Sequence, residues 1–226
     1  RNSDLSCFQP KMLEKGEQSK MDITRAARMH KAIAIIQFKL EGQTIKRNPS
    51  FHMDDRLLLD KIDFEKKTVR LPSGEYPLRD CDFPTIDPAD PYRLSPEEHA
   101  LMAQLKNSFL RSEKLQRHIS FLYSKGGLYK CFNGNLLYHG CIPMDDKGAF
   151  LQFSFGGQTL SGKALMDWCE TVAREGYYAR EGTQERQFGK DFLWFLWCGR
   201  NSPSFGRDHI ATFERRLIAD QSTWAE

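Results

Sequence analysis

Two long stretches of the chain carry apolar residues at three- and four-residue intervals, the repeat of a helix with one buried face. In TRAARMHKAIAIIQFKLEG these are Met29, Ile33, Ile36 and Leu40, with Thr24 placed to cap the start and Gly42 the end. In SPEEHALMAQLKNSFLRSEKLQRHISFLYSKGG the face is Leu101, Leu105 and Phe109, then Leu115, Ile119 and Leu122, with a break near Ser112. Ser95 caps this second helix, Pro96 enters its first turn, and Glu97 and Glu98 sit at its positive end. A third helix follows in SGKALMDWCETVAREGYYA, capped by Ser161, with Leu165, Trp168, Cys169 and Val172 inward.

Other stretches follow the two-residue repeat of strands, or show no break at all. FEKKTVRLPSGEYPL predicts a hairpin pairing Phe64–Leu71 with Tyr76–Leu78 across a Pro-Ser-Gly turn. LYKCFNGNLLYH predicts a second hairpin on Asn133-Gly134, with Asn135–Tyr138 as a buried strand. FLQFSFGG is a further strand, and the unbroken apolar run DFLWFLWCG reads as a strand buried on both faces. FHMDDRLLLDKID reads as a short amphipathic helix with Leu57, Leu58 and Ile62 inward and its charges solvated. RDCDFPTIDPADPYRL, with Pro84, Pro88 and Pro91, is a loop whose acidic spacing matches no calcium loop. Strand, helix and buried strand in succession predict an α/β fold of α+β layered type. The expected organisation is a polar leader over 1–20, a largely helical insert with a short hairpin over 21–125, and an α/β portion over 126–226.

Composition narrows the function class. With 226 residues, 40% hydrophobic and 28% charged, the chain is long enough to bury a sizeable core. A net charge of +3 is too weak to argue for nucleic acid. No apolar run reaches the length of a bilayer span, so no membrane partner is expected. Cys7, Cys81, Cys131, Cys141, Cys169 and Cys198 include no C-x-x-C pair and read as reduced thiols of a cytoplasmic protein. Cys131 and Cys141 flank the second hairpin and read as two buried thiols. The chain begins at Arg1 rather than Met, which reads as a trimmed or incomplete chain.

The candidate chemistry gathers at two element ends. Asn135–Tyr138 runs into His139-Gly140, and Phe192–Cys198 runs into the polar loop GRNSPSFGRD. Ligand sites in α/β sheets lie beyond the carboxyl ends of strands. A strand-end histidine suits metal ligation through a neutral ring nitrogen. It equally suits a plain structural role, and the residues alone leave the two level. Arg200, Asn201 and Arg207 are candidate phosphate contacts, since a guanidinium grips a phosphate through two bonds. A solvated surface loop is the alternative for them.

A family resemblance adds to this. HKAIAIIQFKLEGQ, NPSFHMDDRLLLDKID, FPTIDPADPY, SEKLQRHISFLYSKGG, FNGNLLYHGCIP, LSGKAL and LWFLWCGRNSPSFG with TFER resemble bacterial class III fructose-1,6-bisphosphatase over nearly the whole chain from about residue 6. That family is similar to the calcineurin-like metallophosphatases. The resemblance implies part of a β-sandwich flanked by helices, and hydrolysis of fructose 1,6-bisphosphate to fructose 6-phosphate, a gluconeogenic step, at a two-metal centre, usually manganese. Of the family's metal-holding blocks, D-x-H, G-D-x-x-D-R, G-N-H-[DE], a strand-ending H-G and a final G-H, only H-G is present, at His139-Gly140. The resemblance therefore implies that His139 is a metal ligand. It also implies that the chain is the middle of a longer enzyme and is inactive alone. Two other readings stand beside it: a truncated, non-catalytic module that binds a phosphorylated ligand, and a homo-oligomer interface supplied by the apolar helix at 24–41.

Overall fold

The computed structural model describes residues 23–225, so the expected polar leader lies outside the described residues. The chain mixes helices with short antiparallel strands and divides into two compact units.

The described part of the first unit comprises residues 23–47, 54–103 and 211–225. It is organised around helix α1, Ile23–Arg47. The expected stop at Gly42 is absent, and the helix continues for another turn and more. Gly42 is there for space: a Cβ would lie 2.0 Å from the Tyr92 ring. The buried face also differs from the expected one. Ala32, Ile35, Ile36 and Phe38 are buried and Leu40 partly so, whereas Met29 and Ile33 are exposed. Small alanines flanking larger residues allow close packing on a stripe that a count of large apolar side chains misses.

Strands β1 (Ile62–Asp63), β2 (Thr68–Leu71) and β3 (Gly74–Pro77) form an antiparallel meander, with Leu71 opposite Gly74 across the turn. The expected amphipathic helix at 51–63 is instead three separate 3-10 turns, Pro49–Phe51, Asp54–Arg56 and Leu59–Lys61. The first ends at His52, whose left-handed φ of 51° stops the helical path. Phe38, Leu58, Leu59, Val69, Phe83, Phe213 and Ile218 share one core. The same unit holds a buried ion pair. Lys39 Nζ sits 2.8 Å from Glu98 Oε2 and donates to the Thr85 carbonyl at 2.6 Å. Glu98 also completes a capping box, accepting from the Ser95 N–H at 2.8 Å while its own N–H donates to Ser95 Oγ at 3.2 Å.

Helix α2 spans Pro96–Leu110 and α3 spans Glu113–Lys125, broken as expected at Ser112, whose hydroxyl accepts from Leu115 N. Their expected buried face is only partly covered: Phe109 and Leu122 are more than half exposed.

The described part of the second unit covers residues 48–53 and 104–210. Its centre is a helical hairpin of α4 (Gly162–Tyr178) and α5 (Gln184–Cys198). The expected strand at Phe192–Cys198 is thus the last half of a helix. Phe192, Phe195, Leu196 and Cys198 are buried and Trp197 points out, which is helical spacing. An unbroken apolar run does not distinguish the two, and the upstream Thr183 cap, accepting from Arg186 N, decides it. Gly176 and Gly189 let the helices touch backbone to backbone: a Cβ on Gly189 would lie 2.4 Å from Gly176 Cα. Phe155, Trp168, Phe192 and Phe195 pack as an aromatic cluster with Phe51. Two small hairpins complete the unit, β4 (Tyr129–Phe132) with β5 (Asn135–Tyr138), and β6 (Phe153–Phe155) with β7 (Gln158–Leu160). β5 is a strand as expected but is exposed at all four residues, and Cys131 is exposed rather than buried. No helix among the described residues is long and apolar enough to cross a membrane.

Candidate functional site

Asn133 and Gly134 turn the β4–β5 hairpin with φ of 48° and 73°, the doubly left-handed turn whose twist matches that of the strands. β5 therefore delivers His139 at its carboxyl end, and the side chain is exposed. The next residue explains the motif's geometry. Gly140 is not left-handed. It is a glycine because a Cβ there would come 2.3 Å from the Pro203 carbonyl oxygen and 2.7 Å from the Ser204 backbone. The Cys141 N–H then donates to that same Pro203 oxygen at 2.8 Å. Its thiol donates to the Ser202 carbonyl at 3.7 Å, and burial pushes that thiol's pKa up.

The residue pressing on His139-Gly140 belongs to the loop that leaves α5, 199–210. This loop is tied to itself. Ser202 N–H donates to Gly199 O, Gly206 N–H to Ser202 O, and Asn201 N–H to Arg207 O. Asn201 takes the left-handed φ of 54° that the closure needs, a conformation asparagine tolerates. Ser202, fully buried, donates to Leu196 O at 2.7 Å and fastens the loop to the last turn of α5. Gly206, with φ of 66°, lies against Cys141, where a Cβ would be 2.9 Å from Sγ. The strand end carrying His139 and the loop carrying Arg200, Asn201 and Arg207 are therefore one assembly, although the second element is a helix rather than the expected strand.

Within it the expected residues hold different positions. Arg200 Nε donates to Asp208 Oδ1 at 2.7 Å, and its Nη1 donates to the His52 carbonyl at 3.2 Å. Arg207 is exposed. Asn201 contributes through its backbone. Sequence reasoning missed Asp208 and His209. Asp208 Oδ2 lies 2.8 Å from His209 Nδ1, so one carboxylate joins Arg200 to His209. Burial alone would raise the Asp208 pKa, but the bonds from His209 and Arg200 outweigh it and hold the carboxyl below its usual range. The available signal was the adjacency Arg207-Asp208-His209 in a loop already singled out.

The donor set bears on metal binding. Among the described residues no three His, Cys, Asp or Glu side chains converge on one point. The residues present do not fit a two-metal centre by themselves.

The chain resembles known proteins along its whole length. The sequence profile described as Firmicute fructose-1,6-bisphosphatase matches residues 1–226. A class 3 fructose-1,6-bisphosphatase of Clostridium novyi (strain NT) is 48% identical over 225 residues, covering 100% of this chain and 34% of that protein. One from Clostridium botulinum (strain 657 / Type Ba4) is 48% identical over 219 residues, covering 97% of this chain and 33% of that protein. One from Listeria innocua serovar 6a is 46% identical over 226 residues, covering 100% of this chain and 35% of that protein. The chain thus spans about a third of the length of these relatives. No solved structure matches it significantly.

Proposed function

Because the chain belongs to the Firmicute fructose-1,6-bisphosphatase family, we propose that it is one segment of a phosphatase that hydrolyses fructose 1,6-bisphosphate to fructose 6-phosphate and phosphate. In this reading His139 is one metal ligand, with manganese as the metal, and the other ligands come from parts of the parent protein outside this chain. Arg200, Asn201 and Arg207 belong to the surface that receives the substrate's phosphate. The observation that supports the reading is the clamp between Gly140 and Pro203, which fixes the strand-end histidine against the basic loop. A phosphate monoester is dianionic, and cations held beside a metal-bearing centre would orient it.

A segment with one candidate ligand is expected to release no phosphate by itself. The test is phosphate release from fructose 1,6-bisphosphate with added manganese, comparing the isolated chain with the full-length parent. Turnover by the parent alone supports the reading. Turnover by the isolated chain that requires His139 would overturn its division of labour.

A further inference from the structure

Helix α3 contributes no buried residue to the unit it belongs to. One of its faces still meets the body of that unit. Leu115, Ile119 and Tyr123, spaced by four, are half-buried. The Tyr123 ring stacks on Tyr177 with centroids 4.3 Å apart and planes 4° apart. A second face points to solvent. Lys114, Arg117, His118, Phe121 and Lys125 follow the three- and four-residue repeat, with Leu122 beside them, and all six are exposed. Phe121 is 65% and Leu122 61% exposed, and Arg117 and Lys125 stand one turn to either side of Phe121. Gln116 donates to the Phe109 carbonyl at 3.1 Å, which ties the exposed Phe109 and Leu110 at the end of α2 to the same helix.

The cations of this helix are also unmatched. On α4 and α5, Lys163 pairs with Asp167, and Arg186 and Lys190 share Glu181. Lys106, Arg111, Lys114, Arg117 and Lys125 have no carboxylate partner among the described residues. Glu113 is the one acidic residue between positions 104 and 125. The whole chain has a net charge of only +3, so its basic character is concentrated here.

Water accommodates such cations at little cost, but it does not suit adjacent large apolar side chains. A partner that covers Phe121 and Leu122 must pass over the cations as well. Desolvating unpaired charges is unfavourable unless carboxylates meet them. The occupant is therefore apolar at its centre and acidic around it. The same face of a second copy does not qualify, because like charges would meet. The chain covers 34% of its Clostridium novyi relative, so a parent of that length has further chain to lay over this face. A segment tethered in this way acts at high effective concentration.

We infer that the face of α3 formed by Lys114, Arg117, His118, Phe121, Leu122 and Lys125 is the docking surface for an acidic segment of the parent protein outside these 226 residues. Phe121 is the apolar anchor, and the cations around it select the partner by charge. The inference rests on the reading of this chain as one segment of a longer phosphatase.

The experiment uses the full-length parent protein. Its lysines are acetylated, and the rates at Lys114 and Lys125 are read by peptide mass spectrometry against the same lysines in the urea-unfolded protein. The expected result is labelling slowed at least about tenfold in the folded parent. Carbodiimide is expected to join Lys114 or Lys125 to aspartates or glutamates outside this chain. Phe121→Asp should restore fast labelling at both lysines while circular dichroism still reports a folded protein. Lysines that react as fast in the folded parent as in the unfolded one overturn the inference. Slow labelling with no crosslink to an acidic residue outside this chain overturns the acidic occupant. Crosslinks that form only between two copies of the parent assign the face to an oligomer interface and overturn it too. A parent that does not hydrolyse fructose 1,6-bisphosphate removes the bisphosphatase reading, while labelling and crosslinks still decide what covers α3.

Discussion

Gly140 and Pro203 are held so close that the Pro203 carbonyl oxygen lies 2.3 Å from where a Gly140 Cβ would be, while the same oxygen accepts the Cys141 N–H at 2.8 Å. Backbone, not side chain, fills the space beside His139. Gly140→Ala is therefore expected to push the strand end away from the loop and to cost about 1–3 kcal/mol, the usual penalty of overpacking. In the parent enzyme it should also lower activity, because His139 moves with the strand. Urea unfolding and phosphate release measure the two effects. A stable variant of normal activity would show that the clamp is not needed.

The crossing of α4 and α5 makes a similar demand. Gly189 has Gly176 Cα and Gly176 N each 2.4 Å from its would-be Cβ, and both of those atoms are backbone. A side chain there cannot be accommodated by turning a rotamer. Gly189→Ala should separate the helices and lower stability by about 2–3 kcal/mol or more, although alanine is the better helix former by about 1 kcal/mol. A raised melting temperature would mean that propensity outweighs packing.

Lys39 and Glu98 lie fully inside the first unit, with side-chain exposures of 0% and 5%. Removing one partner leaves a buried, uncompensated charge. Lys39→Met is expected to cost about 3–5 kcal/mol, and the double variant Lys39→Met with Glu98→Leu to recover part of that. Denaturant titration of the set gives both numbers. Equal losses in single and double variants would refute the pairing argument.

Cysteine reactivity separates the exposed from the buried. Cys169 is buried and its pKa is pushed up to about 12, chiefly by burial. At pH 8 its thiol is protonated, and the thiolate that reacts with alkylating reagents is scarce. On the isolated chain, iodoacetamide at pH 8 should modify Cys131 early and Cys169 only upon unfolding, as read by peptide mass spectrometry. Early labelling of Cys169 would contradict its placement in the α4 core.

Much of this was legible in the sequence, and the failures have physical causes. The Asn133-Gly134 turn, the Ser95 cap and the break at Ser112 were readable because each depends on local chemistry, whereas the reciprocal bond from Ser95 N–H to Glu98 shows only in the structure. Phe192–Cys198 was misread because an apolar run carries no period of its own. What makes it helical lies upstream, in the Thr183 cap, and across the hairpin, in Gly176. Gly42 looked like a stop because glycine usually ends helices, whereas here a distant aromatic ring requires its small size. At the candidate site, the strand end at His139 and the 199–210 loop stood out by residue type and position, and the structure brings the two together. Asp208 and His209 were missed because their meaning lies in a shared hydrogen bond, and residue spacing alone does not predict which side chains in a loop will join.

The most direct test of the central claim is the rate of phosphate release from fructose 1,6-bisphosphate, with manganese present, by the full-length parent and its His139→Ala variant. The expected result is turnover by the parent and a loss of at least about a hundredfold in the variant, the upper range for disturbing a metal site. A variant as fast as the parent would contradict the assignment of His139 and, with it, the claim that this segment supplies part of the active centre.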